Sequence, residues 1–507
     1  MVFSSAVFLF AFLPLTIFGY FLLPRKLRNA YLMLASLVFY AWGEPKFVLV
    51  MIASILMNYL FGLLVVKKEE EAYRKRILVL MVIANLSLLF VFKYLNFTVA
   101  NLNVLFHGRI PQTHIVLPIG ISFFTFQAMS YVFDVSMGRG KVQKNPLNVA
   151  LYIALFPQLI AGPIVRYQTV ADEIQDRNEN LEDFARGIRR FVIGLGKKML
   201  LSNSIALLAD QTFDCAAPGS LSVATAWLGA LAYAFQIYFD FGGYSDMAIG
   251  LGLMFGFHFD ENFNYPYISR TVSEFWQRWH ISLSSWFRDY LFYPVSRKAV
   301  PLGQKARKRW GKTVGRLVPS VIALSVVWLS TGIWHGASWT YILWGVYYGI
   351  LLICALIFAP LSKKLAKGLH IHTQSVPFAA FQILRTMILV LLGYVLFRST
   401  SMHRALEYFG AMFGLTGNAA ADGAAATALK NHASALILCA LASTPIACWV
   451  QKHTGRFGNS DAVKNAVCGV IFLAAVACIV SSSYNPFIYF ALSLIHISEP
   501  TRRVVIS

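Results

Sequence analysis

The sequence is short of charge. Asp, Glu, Lys and Arg make up 13% of its 507 residues, roughly half of what an ordinary soluble domain carries. A globule of this size could not clothe itself for water with so little. Acidic residues are the scarcer part, 23 against 44 Lys and Arg, which leaves a net charge of +21. Cysteine is sparse too: Cys215, Cys354, Cys439, Cys448, Cys468 and Cys478 form no CxxC pair and no Cys/His metal spacing. A disulfide-stapled secreted domain is excluded, and no metal site is expected. Five of the six sit inside apolar runs as small lipophilic residues do, and Cys215 lies in the polar segment DCAAPGS. There is no GxSxG elbow and no GxxxxGK[ST] loop, so neither a hydrolase triad nor an ATP-driven pump has a motif behind it. No repeat of 20–50 residues is visible, which speaks against a solenoid or a two-fold transporter repeat.

What is abundant is hydrophobic surface. At 57% hydrophobic, the chain holds enough apolar residues for about eleven spans of ~20 residues. The expected fold class is an all-α polytopic membrane protein with ten to twelve transmembrane helices plus re-entrant or interfacial pieces. The basic residues fall mostly in short runs between apolar stretches. That pattern retains loops in the cytoplasm and does not call for nucleic acid. Residues Val2 to Leu23 are apolar and their positive charges follow, at Arg25, Lys26 and Arg28. A cleavable leader has its charges in front, so this reads as a retained first span with the N-terminus outside.

Further apolar runs centre near residues 31–42, 47–66, 77–95, 115–135, 147–165, 188–210, 223–257, 318–333, 337–359, 378–397, 433–450 and 464–490. The first of these, with its YAWGEP exit, suggests a kinked or re-entrant piece. Segment 172–190 carries both signs and reads as an amphipathic surface helix. Segment 297–316 has eight basic residues and no acidic one, the strongest cytoplasmic loop in the chain, suited to lie on anionic lipid headgroups. Segment 415–432, small and polar, reads as a flexible loop.

Polar groups inside an apolar chain cost free energy and so carry information. Three stretches stand out. In QIYFDFGGYSD (236–246), Asp240 and Asp246 flank Gly242 and Gly243. The sequence allows a helix break with capping carboxylates, or the polar wall of a water-filled cavity. In EFWQRWHISLSSWFRDYLFYP (274–294), Glu274 and Arg278 have the i,i+4 spacing of an ion pair, and an interfacial amphipathic helix with an aromatic belt accounts for most of the pattern. In WLSTGIWHGASWTYILWG (328–345), His335 follows Trp334 in a run without Lys, Arg, Asp or Glu. A lone His there is either a hydrogen-bonded structural residue or a base, since neutral imidazole can take a proton from a hydroxyl at pH 7.

LPIGISFFTFQAMSYVFDV (117–135), FPQLIAGPIVRY (156–167), YFDFGGYSDMAIGLGLMFGF (238–257), RWHISLS (278–284) and GIWHGASWTYILWG (332–345) together resemble the membrane-bound O-acyltransferase family, within it the branch that acetylates bacterial polysaccharides such as alginate. The likeness runs from Met1 to about Phe490 and implies a single domain over 1–490. It implies helices around a funnel-shaped core, a bacterial inner-membrane location and a cytoplasmic donor, acetyl-CoA. His335 matches the family's essential histidine and His280 its upstream one, with the indoles of Trp334 and Trp339 and the carboxylates Asp240 and Asp246 as pocket candidates. The implied partners are an extracytoplasmic acetyltransferase subunit and the polysaccharide synthesis and export machinery. FIYF (487–490) resembles a tyrosine-bearing motif, FxYxxF, of this branch, which makes Tyr489 an acyl-relay candidate. Ala491 and Leu492 follow in place of the motif's ending, and residues 491–507 look foreign to the family.

The competing reading is a transporter or channel with intramembrane His and Asp, which would spread charged residues over several spans and show repeats. A first prediction concerns orientation. Eight basic residues resist translocation, so a cysteine placed at Ser296 is expected to stay unlabelled by an impermeant maleimide in intact cells and to react once the membrane is opened; labelling in intact cells would reverse the assignment.

Overall fold

A computed structural model of the chain describes residues 1–370, 372–455, 458 and 460–481. Among them there are helices and no strand, and they fall into two compact units, Met1–Ala161 and the residues from Gly162 onward.

The first unit contains α1 (Leu13–Leu22), α2 (Arg25–Gly43), α3 (Val48–Val65), α4 (Glu71–Leu89), α5 (Leu95–Leu105), α6 (Ile121–Ser136), α7 (Pro146–Ala154) and the single turn α8 (Phe156–Leu159). A buried pair of amides in it is mutually satisfied, as a dry interior favours. Asn58 and Asn85 are both fully buried and exchange two amide hydrogen bonds of 3.0 and 2.9 Å between α3 and α4. Residues 31–42 are not kinked. They lie inside the continuous helix α2, which ends at Gly43.

The second unit holds α9 (Tyr167–Gln175), α10 (Leu181–Gly196), α11 (Asn203–Phe213), α12 (Val223–Met254), α13 (Val272–Arg278), α14 (Ile281–Phe287), α15 (Tyr293–His335), α16 (Trp339–Gly368), α17 (Val376–Arg398), α18 (Met402–Met412), α19 (Gly423–Ala442), α20 (Ile446–His453) and α21 (Asp461–Ser481). Its axis is α12, which starts at the Ser222 cap and runs unbroken for 32 residues. The break expected at Gly242 and Gly243 does not occur. Helix α10 passes so close that a Cβ on Gly194 would stand 2.5 Å from the Gly243 carbonyl oxygen, and one on Gly187 2.6 Å from that of Gly250. Seven residues separate each pair, two turns of helix, so the four glycines form one seam where two backbones touch. In a bilayer small residues at a helix crossing gain van der Waals contact that larger ones forbid.

Among the described residues, eight helical segments are long and apolar enough to cross a membrane: Val48–Val65, Glu71–Leu105, Leu181–Phe213, Ile281–His335, Trp339–Gly368, Val376–Arg398, Gly423–Ala442 and Asp461–Ser481. The larger sequence count included runs that fold into shorter pieces. The run near 147–165 becomes α7, α8 and an irregular segment, and the first run yields the short apolar helix Phe8–Leu22. Segment 172–190 is two helices, with Asn180 capping α10 through the Asp183 N–H at 2.8 Å. Segment 297–316 is helical, not a loop, and turns back on itself at Gly311, whose φ of +89° breaks α15. Gly303 and Gly315 then face each other closely enough that a Cβ on Gly303 would sit 2.7 Å from the Gly315 carbonyl. Of the segment 415–432, only the first part is irregular; Asp422 caps α19, accepting from the Ala425 N–H at 2.8 Å.

The glycine seam gives a second prediction. Gly194→Val places a branched side chain against backbone that cannot yield, and is expected to cost about 1–3 kcal/mol by overpacking, seen as a lower melting temperature of the purified protein in detergent. Gly469→Val on α21, where an added Cβ meets nothing within 4 Å, is expected to leave the melt unchanged.

Candidate active site

His335 is the last residue of α15, and the chain leaves the helix through the extended Gly336 before Ser338 caps α16. Glycine is required at 336 because the Tyr341 ring lies over it, 2.4 Å from where a Cβ would stand. This tight turn brings three helices to one imidazole. The His335 ring is half-buried and lies edge-to-face with Trp334 at 4.9 Å, Trp344 of α16 at 4.8 Å and Phe397 of α17 at 5.1 Å between centroids. Aromatic walls on several sides hold an imidazole in place and lower the local dielectric, conditions under which a general base is oriented and its electrostatic partners act strongly.

His280 reaches the same place from another direction. The stretch 274–294 is not one amphipathic helix: it is interrupted between α13 and α14 at His280, whose φ of +46° lies in the left-handed region. A non-glycine residue there is strained and is held by its surroundings. The expected Glu274–Arg278 pair does form, at 3.0 Å. The His280 side chain is buried, packing on Phe241 of α12 at 4.7 Å and facing Trp334 at 6.2 Å. Trp334 therefore stands between the two histidines. His280 Nδ1 lies 3.1 Å from Asn262 Oδ1. Its Nε2 is buried with no hydrogen-bond partner.

The two carboxylates are held in ion pairs. Asp240 faces Lys198 at 2.6 Å, both side chains 2% exposed. Asp246 receives Lys197 at 2.6 Å and Arg190 at 2.7 Å, and Arg190 also reaches Glu261 at 2.9 Å. Lys197 and Lys198 sit in a π-helical turn, Lys197–Ser202, that follows α10 directly. Both carboxylates thus belong to the ion pairs that tie α10 to α12, beside the glycine seam.

The structure accordingly brings His335, Trp334 and His280 together. Trp339 opens α16 and is 54% exposed, and Tyr489 lies outside the described residues. Trp344 and Asn262 escaped the sequence reading. Trp344 was hidden among the many aromatics of its run, and Asn262 had no motif of its own. The basic partners were visible in principle, since GLGKKMLL places two lysines inside an apolar run, which is itself a signal of buried pairing.

The sequence profile of the membrane-bound O-acyltransferase family matches residues 141–397. That segment is just over half of the chain and contains every residue of the cluster just described. The chain belongs to the membrane-bound O-acyltransferase family. Relatives of this O-acyltransferase include the "Probable alginate O-acetylase AlgI" of Pseudomonas syringae pv. tomato, 42% identical over 418 residues, 82% of this chain and 75% of that one. The protein of the same name from Pseudomonas putida is 37% identical over 512 residues, 97% and 100% of the two chains. The "Peptidoglycan O-acetyltransferase" of Helicobacter pylori is 36% identical over 452 residues, 82% and 80%. Family membership and the apolar helices make the protein a multi-pass membrane acyltransferase.

The buried pair sets a third prediction. Asp240→Asn leaves the Lys198 ammonium buried beside a neutral amide, and is expected to destabilise the acyltransferase by about 3–5 kcal/mol, measured as loss of folded protein in detergent extracts. Asp240→Leu combined with Lys198→Met removes both charges together and is expected to recover most of that loss.

Proposed function

We propose that this O-acyltransferase takes acetyl groups from acetyl-CoA on the cytoplasmic side of the bacterial inner membrane and passes them across for O-acetylation of an exported polysaccharide. The reading rests on one observation above the rest: His335, half-buried and clamped by Trp334, Trp344 and Phe397, with a second imidazole across Trp334. Alginate is the favoured polymer, because relatives named as alginate O-acetylases match over most of the chain. The peptidoglycan enzyme named above matches as broadly, and acceptor hydroxyls of that kind are the alternative within the same chemistry.

In this mechanism His335 takes the proton of the attacking hydroxyl as its oxygen bonds to the thioester carbonyl carbon. The tetrahedral intermediate then collapses, the C–S bond breaks, and the proton passes from His335 to the departing thiolate. A positioned base contributes about 10²–10⁴-fold to such a step. Indole and backbone N–H groups around Gly336 and Trp344 are suitably polar donors for the oxyanion. An extracytoplasmic acetyltransferase subunit completes delivery. Tyr489, outside the described residues, is the relay proposed between the two, since an aryl ester with a leaving group of pKa about 10 hands its acetyl group readily to a sugar alcohol.

The test is acetyl transfer from labelled acetyl-CoA in membranes that contain the protein, its partner subunit and the polymer. His335→Ala is expected to abolish labelled polymer at unchanged expression, and His335→Gln, which keeps hydrogen bonding without basicity, is expected to stay inactive. Near-normal transfer by His335→Gln would replace the base with an orienting role. Uptake of label without transfer would favour a transporter.

A further inference from the structure

We propose that Asn262 is a positioning residue that locks His280 in its Nδ1–H tautomer, so that the buried Nε2 lone pair is presented to a donor group of the substrate, a hydroxyl of the acyl acceptor. This rests on the acyl-transfer reading for its catalytic meaning and on hydrogen-bond geometry for the tautomer.

Asn262 is fully buried and grips the segment 280–282 with both its backbone and its side chain. Its carbonyl oxygen accepts the Ile281 N–H at 2.9 Å. Its Oδ1 accepts the Ser282 N–H at 3.2 Å and the Ser282 hydroxyl at 2.8 Å, while Nδ2 donates to Ser245 Oγ on α12 at 2.9 Å. The orientation of the amide is fixed by this pattern. A backbone N–H can only donate, so the atom facing Ser282 N is the acceptor oxygen. Turning the amide over would set two donors against each other in a buried site.

The tautomer follows. His280 Nδ1 lies 3.1 Å from that same oxygen, and two acceptors at that distance repel unless one carries a hydrogen, so the proton is on Nδ1. The Ser282 hydroxyl, 3.5 Å from Nδ1, does not reverse this. It sits nearer Asn262 Oδ1, to which it gives its one proton, and so has none left to donate to Nδ1. Neutral imidazole has one N–H. With that hydrogen on Nδ1, Nε2 is an acceptor, and it is buried without a partner. A lone pair left unsatisfied in an apolar interior costs about 1–3 kcal/mol, and an incoming hydroxyl removes that cost. The same logic denies neutral His280 any part in holding the oxyanion, because it has no N–H on that side.

The strained backbone of His280 belongs to the same device. Three hydrogen bonds from residues 280–282 to one asparagine side chain, and a fourth to its carbonyl, over-determine a conformation that histidine would otherwise avoid.

The experiment is a long-range ¹H–¹⁵N spectrum of the full-length protein labelled at histidine nitrogens, with the His280 signals assigned by their absence from His280→Asn, read beside acetyl-transfer kinetics. The expected result is a protonated Nδ1 and a bare Nε2. In Asn262→Leu that pattern is expected to be lost and kcat to fall on the order of 10²-fold with KM little changed, as for an imidazole held in the wrong tautomer. Asn262→Asp keeps an acceptor at Oδ1 and is expected to restore the Nδ1–H form and most of the turnover lost by Leu, which a purely structural defect would not allow. A protonated Nε2 in the unaltered protein overturns the proposal whatever the activity. So does a retained Nδ1–H form with undiminished kcat in Asn262→Leu. Full turnover by His280→Ala with the Nδ1–H pattern intact in the parent protein would overturn the substrate role of Nε2 alone.

Discussion

The contact between α10 and α12 is the constraint on which the second unit depends. Two backbones meet along Gly187, Gly194, Gly243 and Gly250, an approach available only to residues without a side chain. Because the helices are that close, Lys198 reaches Asp240, and Arg190 and Lys197 reach Asp246, without traversing a gap. The ion pairs and the seam are two expressions of one geometry. Dispersion draws the helices together, and the buried charges fix their register, since a shift by one turn would strand every one of them. Helix α12 then supplies fixed ground for what lies beyond: Phe241 under the His280 ring and Ser245 at the far end of the Asn262 amide.

The candidate site is assembled from segments that turn sharply where a continuous helix would have been simpler. Helix α15 ends at His335 and α16 begins at Trp339, four residues later. His280 sits at a left-handed junction between two helices of seven residues each. Both imidazoles are thus at helix ends, where a side chain can be aimed across the helix direction. Aromatic rings fill the space around them, and this explains the density of Trp and Tyr in the run 328–348 better than a membrane-interface belt does.

Much of this was legible in the sequence, for reasons that differ residue by residue. The helices could be read because long apolar runs have few other ways to satisfy their backbone in lipid. His335 stood out because no Lys, Arg, Asp or Glu shares its run. Gly242 and Gly243 misled. Beside Asp in an aqueous protein they would mark a turn, whereas here the missing side chain of Gly243 serves contact with α10, and one chain segment read alone cannot show what lies against it. The break at His280 was invisible for a related reason. RWHISLS contains neither Gly nor Pro, and its left-handed residue is imposed by an asparagine eighteen positions earlier. Local preference lost to a long-range hydrogen-bond set.

The hairpin at Gly311 changes what the basic segment can be. Eight positive side chains on a loose loop would each meet anionic headgroups independently, at about 1 kcal/mol apiece, and would lose conformational freedom in doing so. On two helical arms closed face to face by Gly303 and Gly315, their spacing is already set. The ordering cost has been met by folding, so against an anionic surface the attractions would act together as one multivalent contact. Neutralising a single arginine should therefore weaken such a contact slightly, while a bulky residue at Gly303 or Gly315 would spread the arms and disperse the charge without removing any of it.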